Sequence, residues 1–267
     1  PSTLQINANL PRLDGATALY PLYSAFAQAT YPEREYRVYD SEVMCNNTVG
    51  SFKNLINGYA DIAFMAHPSK EQIADARAEG VELVMTPIGR EAFVFFVNAK
   101  NPVTGLTTEQ IQGIYSGSIT NWQEVGGNND RIRAFQRPQN SGSQTMLQRL
   151  MEGKELMEPP TEDVVAGMGG IIEQTASYRN YKNAIGYSFR YFSTEMIKNG
   201  EIRLLEVDGI YPDREAIKNS SYPLSAEFYA VTVKDHNNPN IDLLIDWILS
   251  PQGQEIIDKT GYTPLGI

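Results

Sequence analysis

Two alternating patterns of apolar and polar positions run along this chain. Short runs rich in β-branched and aromatic residues, bounded by turn residues, predict β-strands. These runs are residues 36–39, 62–65, 83–88, 92–98, 132–136, 184–188, 202–207 and 227–233. Stretches with apolar residues three and four positions apart predict helices. These stretches are residues 19–29, 52–57, 70–78, 108–116, 144–151, 170–177, 191–198, 241–249 and 252–260. Short strands that alternate with helices indicate an α/β architecture.

Two predicted apolar strands each adjoin a proline-containing segment. This change in sequence character predicts that the chain crosses from one lobe to the other at these strands. One runs into Asn101-Pro102, and the other follows Tyr222-Pro223. We therefore expect residues 1–92 and 225–267 to form one lobe and residues 93–224 to form the other. Two lobes joined by two crossover strands make a hinge, and the cleft at such a hinge is a common small-molecule site.

The charge balance excludes one class of partner. The chain has 267 residues, with 22 Lys and Arg against 32 Asp and Glu, for a net charge of −10. Because no dense Lys/Arg cluster is visible, we expect no nucleic-acid partner. The net charge repels small anions at long range, so any anion site has to be built from a few local donors.

The numbers of cysteines and histidines limit which disulfides and metal sites the chain can form. A single cysteine, Cys45, excludes an intramolecular disulfide and a cysteine-based zinc cluster, and the two histidines are far apart in sequence. We expect neither a metal nor a cofactor. No apolar run reaches the roughly 18–20 residues of a membrane span, and residues 1–10 do not read as a signal peptide.

The most informative motif runs from Arg137 to Thr145 and contains Ser141, Gly142 and Ser143. It follows a predicted strand and precedes a predicted helix, so the serines lie where free N–H groups and the helix dipole favour an anion. Arg137 adds a forked cation suited to oxyanions. The alternative is ordinary helix capping by one of the serines beside a surface arginine.

Two further loops have the same composition. One contains Thr17 and Ala18, where Thr17 is a candidate helix cap, and the other contains Thr48 between Asn47 and Gly50. Each alone indicates a capped helix. Three such transitions in one acidic chain are less easily explained by capping alone, because converging helix N-termini are what a dehydrated oxyanion needs.

Catalytic motifs are missing from the sequence. We find no nucleophile elbow, P-loop, zinc-protease motif or dinucleotide fingerprint. Ser141 as a nucleophile would need a base from a distant part of the chain. We therefore expect a protein that is not an enzyme.

These loops, together with several other segments, resemble one known family. The segments are Asn101-Pro102-Val103, Leu106–Ile111, Ile114–Trp122, Val125-Gly126-Gly127, Arg137 with Ser141-Gly142-Ser143, Gly15-Ala16-Thr17, Leu249–Gln254 and Gly261–Leu265. Over nearly its whole length the chain is similar to the substrate-binding proteins of bacterial ATP-binding-cassette (ABC) importers, specifically the phosphate-binding family.

The resemblance implies a type II periplasmic-binding-protein fold, with two α/β lobes and phosphate in the cleft between them. It carries the family's ligand positions onto Thr17, the amide of Ala18, Thr48, Arg137, Ser141, Gly142 and Ser143. It also implies export, in Gram-positive bacteria with a lipidated cysteine as tether, and a monomer that delivers phosphate to a membrane permease.

The chain departs from the family at the position that accepts the proton of phosphate. Ala66 stands where well-known members have Asp and others have Ser. Glu91 is the nearest chemically suitable substitute, and its alternative role is a solvated strand-edge glutamate. Because the acceptor is missing at Ala66, the sequence does not determine which oxyanion the chain prefers.

The sequence therefore predicts an extracytoplasmic protein that captures phosphate, or a similar tetrahedral oxyanion, for an ABC importer. Two other functions stay open at this point. One is a sensor or adhesion protein on the same fold with a different ligand or none, and the other is a phosphate-ester hydrolase.

Overall fold

The computed structural model describes residues 1–167, 169, 170, 172 and 182–266. The chain divides into two compact units. Unit 1 comprises Pro1–Arg90, Asn140–Gly142 and Glu227–Ile267, and unit 2 comprises Glu91–Gln139 and Ser143–Ala226. The short segment Asn140–Gly142 belongs to unit 1, although its neighbours in sequence on both sides belong to unit 2.

Strands and helices alternate along the described residues. The strands are β1 (Leu13–Gly15), β2 (Ile62–Ala66), β3 (Leu83–Asn98), β4 (Gly105–Leu106), β5 (Arg133–Ala134), β6 (Ala184–Phe189), β7 (Ile202–Leu204), β8 (Glu206–Val207), β9 (Ser225–Val233) and β10 (Thr263–Pro264). The α-helices are α1 (Tyr20–Thr30), α2 (Asn47–Ile56), α3 (Lys70–Ala78), α4 (Thr108–Ser116), α5 (Gly142–Leu150), α6 (Arg214–Lys218), α7 (Pro239–Leu249) and α8 (Pro251–Thr260). Single turns of 3₁₀-helix at Thr17–Leu19, Trp122–Val125 and Thr161–Asp163 and a π-helical turn at Phe192–Met196 complete the list.

Unit 1 is built on a mixed sheet. Strand β1 pairs in parallel with β2, and β2 pairs antiparallel with β9. All five residues of β2 are buried, and α2 packs against β1 and β2. A cluster of buried apolar side chains forms part of this core: Phe52, Leu55, Ala63, Met65, Ala76 and Val231. Burial of apolar side chains such as these is the dominant favourable contribution to folding.

Unit 2 has its own sheet and an aromatic core. The second half of β3 pairs antiparallel with β6 and β7, and β5 pairs in parallel with β6. Phe93, Phe95, Tyr115 and Tyr187 pack with ring centroids 5.0–5.9 Å apart. These distances are typical of favourable edge-to-face and tilted aromatic pairs.

The α/β architecture expected from the sequence is confirmed, and two helices match their predicted bounds. Capping boxes at Ser69 with Gln72 and at Thr107 with Gln110 start α3 and α4. In such a box the two residues satisfy each other's free backbone N–H, so the start of the helix is encoded locally.

Some expectations about secondary structure were wrong, and one concerns residues that are mostly outside the described part of the chain. Residues 36–39 form no strand, because they run into a turn and Tyr39 is 77% exposed. The two predicted strands at 83–88 and 92–98 are one continuous strand, β3. The predicted helix at 170–177 lies mostly outside the described residues.

In the part of the chain that the structure describes, no helix has the length and apolar character of a membrane span.

Candidate anion-binding loops

The first predicted loop leads from β1 into a 3₁₀-helical turn. Thr17 starts that turn, and its hydroxyl does not cap it, since the N-cap is Ala16 with no side-chain hydrogen bond. The prediction that Thr17 caps the helix was therefore wrong. The first N–H groups of a helix have no intrahelical acceptor, so the N–H groups of Thr17 and Ala18 are potential ligand donors.

Gly15 is required for the close packing of this loop. A Cβ atom at this position would lie 2.5 Å from the carbonyl oxygen of Phe64 and 2.7 Å from Cε1 of Tyr23. Both distances are well below normal contact. The loop therefore lies directly against β2 and α1, and its backbone is held in one position.

The second loop belongs to a helix that begins earlier than predicted. Helix α2 starts at Asn47, with a φ of 58° at that residue, so Thr48 lies in the first helical turn. The side chain of Asn47 accepts the N–H of Gly50 at 2.9 Å. The helix start therefore satisfies one of its own N–H groups and leaves the N–H of Thr48 without an intrahelical acceptor.

A buried carboxylate, Asp14, connects these two loops within unit 1. Its Oδ1 accepts the N–H of Gly15 and the N–H of Asn46, each at 2.8 Å. Its Oδ2 accepts the side-chain amides of Asn46 at 2.8 Å and Asn54 at 2.9 Å. Asp14 is fully buried. Sequence reasoning missed this residue, because an Asp-Gly pair usually indicates only a turn.

The third loop places Arg137 in the interior of unit 2. The residue is only 7% exposed. Its Nε donates to the carbonyl of Val165 at 2.8 Å, and Nη2 donates to the carbonyl of Ala166 at 2.9 Å. Nη1 donates to Oγ of Ser143 at 3.2 Å. The alternative of a surface arginine was therefore wrong.

Burial lowers the pKa of the Arg137 guanidinium from its ordinary value. The physical cause is desolvation, which penalises the charged form. Among the described residues, its side-chain hydrogen-bond partners are two carbonyls and a hydroxyl, all neutral. A buried cation without a paired carboxylate is unusual, because buried charges are normally compensated.

Two buried polar side chains fix the backbone of Arg137. The backbone N–H donates to the hydroxyl of Tyr187 at 2.8 Å and to Oε1 of Gln144 at 3.0 Å. The Tyr187 hydroxyl in turn donates to Oε1 of Gln144. Gln144 also donates to Oε1 of Gln136 at 3.0 Å. This network ties the start of α5 to the segment that carries Arg137, and the sequence contains no local signal for it.

Removal of the Tyr187 hydroxyl tests this network. We expect Tyr187→Phe to lower the free energy of unfolding by about 1 kcal/mol, because the Arg137 N–H keeps Gln144 as its acceptor. Urea unfolding followed by circular dichroism measures the loss. The exposed Tyr211 provides the control, since Tyr211→Phe should leave stability unchanged. Equal stability of wild type and Tyr187→Phe would contradict a stabilising role for the network.

The serines of the third loop lie at the start of α5, which begins at Gly142 rather than at residue 144. Ser141 and Ser143 are both buried. Asn140 precedes them with a φ of 67° and accepts the hydroxyl of Ser69 at 2.7 Å. Asn140 is therefore bonded within unit 1, and Ser143 is bonded to Arg137 within unit 2.

Ala66 and Glu91 occupy different environments in the two units. Ala66 ends β2, is buried, and pairs with Phe228 of β9. Glu91 is 7% exposed, so the alternative of a solvated glutamate was wrong. Its Oε1 accepts the N–H of Ala92 at 2.8 Å and its Oε2 accepts the N–H of Tyr191 at 3.2 Å. Burial raises the pKa of Glu91 to about 7, although the two N–H groups and Arg190 oppose that shift.

The predicted ligand residues thus fall into two groups. The loops of Thr17, Ala18 and Thr48 share Asp14 within unit 1, and Arg137 and Ser143 are hydrogen-bonded within unit 2. In the described ranges, no group of three or more His, Cys, Asp or Glu side chains is arranged to hold a metal ion. The chemistry that these loops offer is donation of N–H and O–H groups, which suits an oxyanion.

Two relatives align with most of this chain. The phosphate-binding protein PstS of Borreliella burgdorferi is 27% identical over 205 residues, which cover 74% of this chain and 69% of that protein. PstS of Bacillus subtilis is 25% identical over 259 residues, covering 95% of this chain and 80% of that protein.

The fold has solved counterparts. A putative phosphate ABC transporter substrate-binding protein from Clostridium perfringens superposes with a TM-score of 0.73 at 24% identity. That alignment covers 98% of this chain and all of the other chain. The periplasmic-binding-protein fold expected from the sequence is therefore confirmed. Residues 7–252 match the PBP superfamily domain, and the chain belongs to the PBP superfamily.

Proposed function

We propose that this chain is an extracytoplasmic solute-binding protein that captures inorganic phosphate, or a similar tetrahedral oxyanion, and delivers it to an ABC importer. The ligand donors are Thr17, Ala18, Thr48, Arg137, Ser141, Gly142 and Ser143. Relatives that cover most of the chain are named phosphate-binding proteins. Their names favour this function over a sensor or adhesion protein.

The observation that carries the proposal is the buried Arg137. Its guanidinium has five N–H groups, and the bonds to Val165, Ala166 and Ser143 use three of them. One N–H on Nη1 and one on Nη2 remain in the described structure, which is the forked arrangement that binds two oxygens of one oxyanion. A bound anion would also supply the negative charge that the neutral partners of Arg137 lack.

The remaining donors suit an anion in a chain of net charge −10. Neutral N–H and O–H groups bind an oxyanion without adding a cation, so they depend on local geometry rather than on the overall field. Thr48 and Ser143, with exposed fractions of 7% and 2%, have lost most of their contact with water. Hydrogen bonds to an anion are strongest in such desolvated positions.

The proposed partner is the membrane permease of an ABC importer, and the proposed form is a monomer outside the cytoplasm, with a lipid tether as one way of retaining it at the cell surface. No catalytic step is part of the proposal. Turnover of a chromogenic phosphate ester tests for one: a rate above that of the buffer, lost in Ser141→Ala, would favour a hydrolase instead.

Calorimetry with phosphate, arsenate, sulfate and molybdate tests the proposed ligand. We expect tight binding of phosphate and of arsenate, which has the same shape and the same proton. A phosphate concentration of about one hundred times Kd should raise the free energy of unfolding by about 2.7 kcal/mol. Absence of binding for all four oxyanions in protein freed of ligand by denaturation and refolding would overturn the proposed function.

A further inference from the structure

Asp14 lies at the centre of the donor loops of unit 1 without being a ligand candidate itself. We propose that Asp14 is the positioning residue that holds the loop of Thr17 and the start of α2 in one fixed arrangement for the anion. This inference rests on the proposed function, because the arrangement matters only if these loops bind a ligand.

The bonds of Asp14 are placed symmetrically with respect to the two threonines. One bond goes to the N–H of Gly15, two residues before Thr17, and another goes to the N–H of Asn46, two residues before Thr48. A single carboxylate oxygen accepts both. Oδ1 of Asp14 therefore links the two loops directly, beyond the backbone bond from the N–H of Met44 to the carbonyl of Leu13 that precedes them.

The second oxygen fixes the direction of α2. Oδ2 accepts the side-chain amides of Asn46, the residue just before α2, and of Asn54, within α2. One contact before the helix and one within it restrain the rotation of α2 as well as its position. The first-turn donors of α2, including the hydroxyl of Thr48, therefore point in a defined direction.

Only an aspartate meets all four of these donors. A carboxylate accepts at about four lone-pair sites and donates nothing, so each of the four N–H groups finds an acceptor. An asparagine at this position would turn an NH₂ group toward the amides of Asn46 and Asn54. Leaving buried donors unpaired costs about 1–3 kcal/mol.

The charge of Asp14 separates a positioning role from an electrostatic one. A negative charge beside an anion site weakens binding through repulsion, so its removal alone should strengthen phosphate binding. Loss of the loop geometry should weaken binding instead. The sign of the change in Kd therefore distinguishes the two effects.

The test is phosphate calorimetry on wild type and Asp14→Asn, with thermal unfolding measured in parallel. We expect Asp14→Asn to weaken phosphate binding about tenfold or more. The double variant Asp14→Asn, Asn54→Asp exchanges the acceptor and the amide, and it should recover most of the lost affinity.

Asp61 provides the matched control. It is a carboxylate of the same unit that accepts the backbone N–H of Arg12 at 2.7 Å and the Arg12 side chain at 2.9 and 3.1 Å. Among the described residues, its carboxylate bonds to Arg12 and to neither donor loop. We expect Asp61→Asn to lower thermal stability while changing the phosphate Kd by less than about twofold.

The possible outcomes distinguish failure of the inference about Asp14 from failure of the proposed phosphate-binding function. Unchanged or tighter phosphate binding by folded Asp14→Asn, with tight binding by wild type, overturns this inference and leaves the proposed function standing. An equal loss of affinity in Asp61→Asn overturns it as well. If Asp14→Asn does not fold, Asn54→Ala removes one of the four donors, and unchanged affinity in that variant overturns the inference. Absence of phosphate binding by wild type overturns the proposed function itself.

Discussion

Replacement of Arg137 by alanine should abolish high-affinity binding of phosphate while both units remain folded. Arg137 is buried, and its bonds to Val165, Ala166 and Ser143 leave one N–H on Nη1 and one on Nη2 for the proposed oxyanion. Loss of such a charge-assisted contact to a desolvated anion costs about 2–5 kcal/mol. Calorimetry should therefore show a loss of roughly 30-fold to several thousandfold in affinity.

Two variants control for charge and for folding. Arg149 is an exposed arginine of α5, and Arg149→Ala removes the same charge without touching the loop. Arg137→Lys keeps a cation but loses the fork, so we expect its affinity to lie between those of wild type and Arg137→Ala. Circular dichroism must show folded protein, because Arg137 also holds the carbonyls of Val165 and Ala166. Near-wild-type affinity of Arg137→Ala would contradict the assignment of Arg137 to the anion-binding site.

The preference for phosphate over sulfate should increase as the pH rises from 6 to 8, if Glu91 takes the role of the acceptor missing at Ala66. Near neutral pH phosphate keeps a proton and sulfate has none, so an ionised carboxylate accepts from phosphate and repels sulfate. The pKa of Glu91 is raised to about 7 by burial. Below that pH the protonated carboxyl loses its charge and with it the repulsion of sulfate. The ratio of the two affinities should change by about tenfold to a hundredfold.

Competition calorimetry on wild type and Glu91→Gln measures this effect. The neutral amide should make the phosphate-to-sulfate ratio low and independent of pH. Arsenate carries the same proton as phosphate, so the phosphate-to-arsenate ratio should stay constant with pH in both proteins. Strong rejection of sulfate that survives in Glu91→Gln would show that neither the gap at Ala66 nor its replacement by Glu91 governs selectivity.

Local signals explain which elements could be predicted. The capping boxes at Ser69 and Thr107 are complete within four consecutive residues, so α3 and α4 begin where the pattern placed them. Strands such as β1, β4 and β10 have two or three residues. Such lengths are too short for periodicity to appear, and pairing with a neighbouring strand defines them.

The donor loops were recognisable for a similar reason. Hydroxyls, glycine and a helix start adjoin one another in sequence around Thr17, Thr48 and Ser143. The backbone conformation of these loops was harder to predict. Thr17 starts a 3₁₀-helical turn without capping it, and α2 starts before Thr48 rather than after it, because packing against the sheet decides where each helix starts.

The amino-acid sequence by itself therefore determined the α/β class, the family and the three loops that we propose as oxyanion donors, since these depend on residues that are close together in the chain. Only the tertiary structure decided the burial of Arg137 and Glu91 and the role of Asp14. The amides that bind Asp14 come from positions 46 and 54, and the carbonyls that hold Arg137 come from positions 165 and 166. Burial and charge compensation depend on residues that folding brings together from distant parts of the chain, and no local pattern records them.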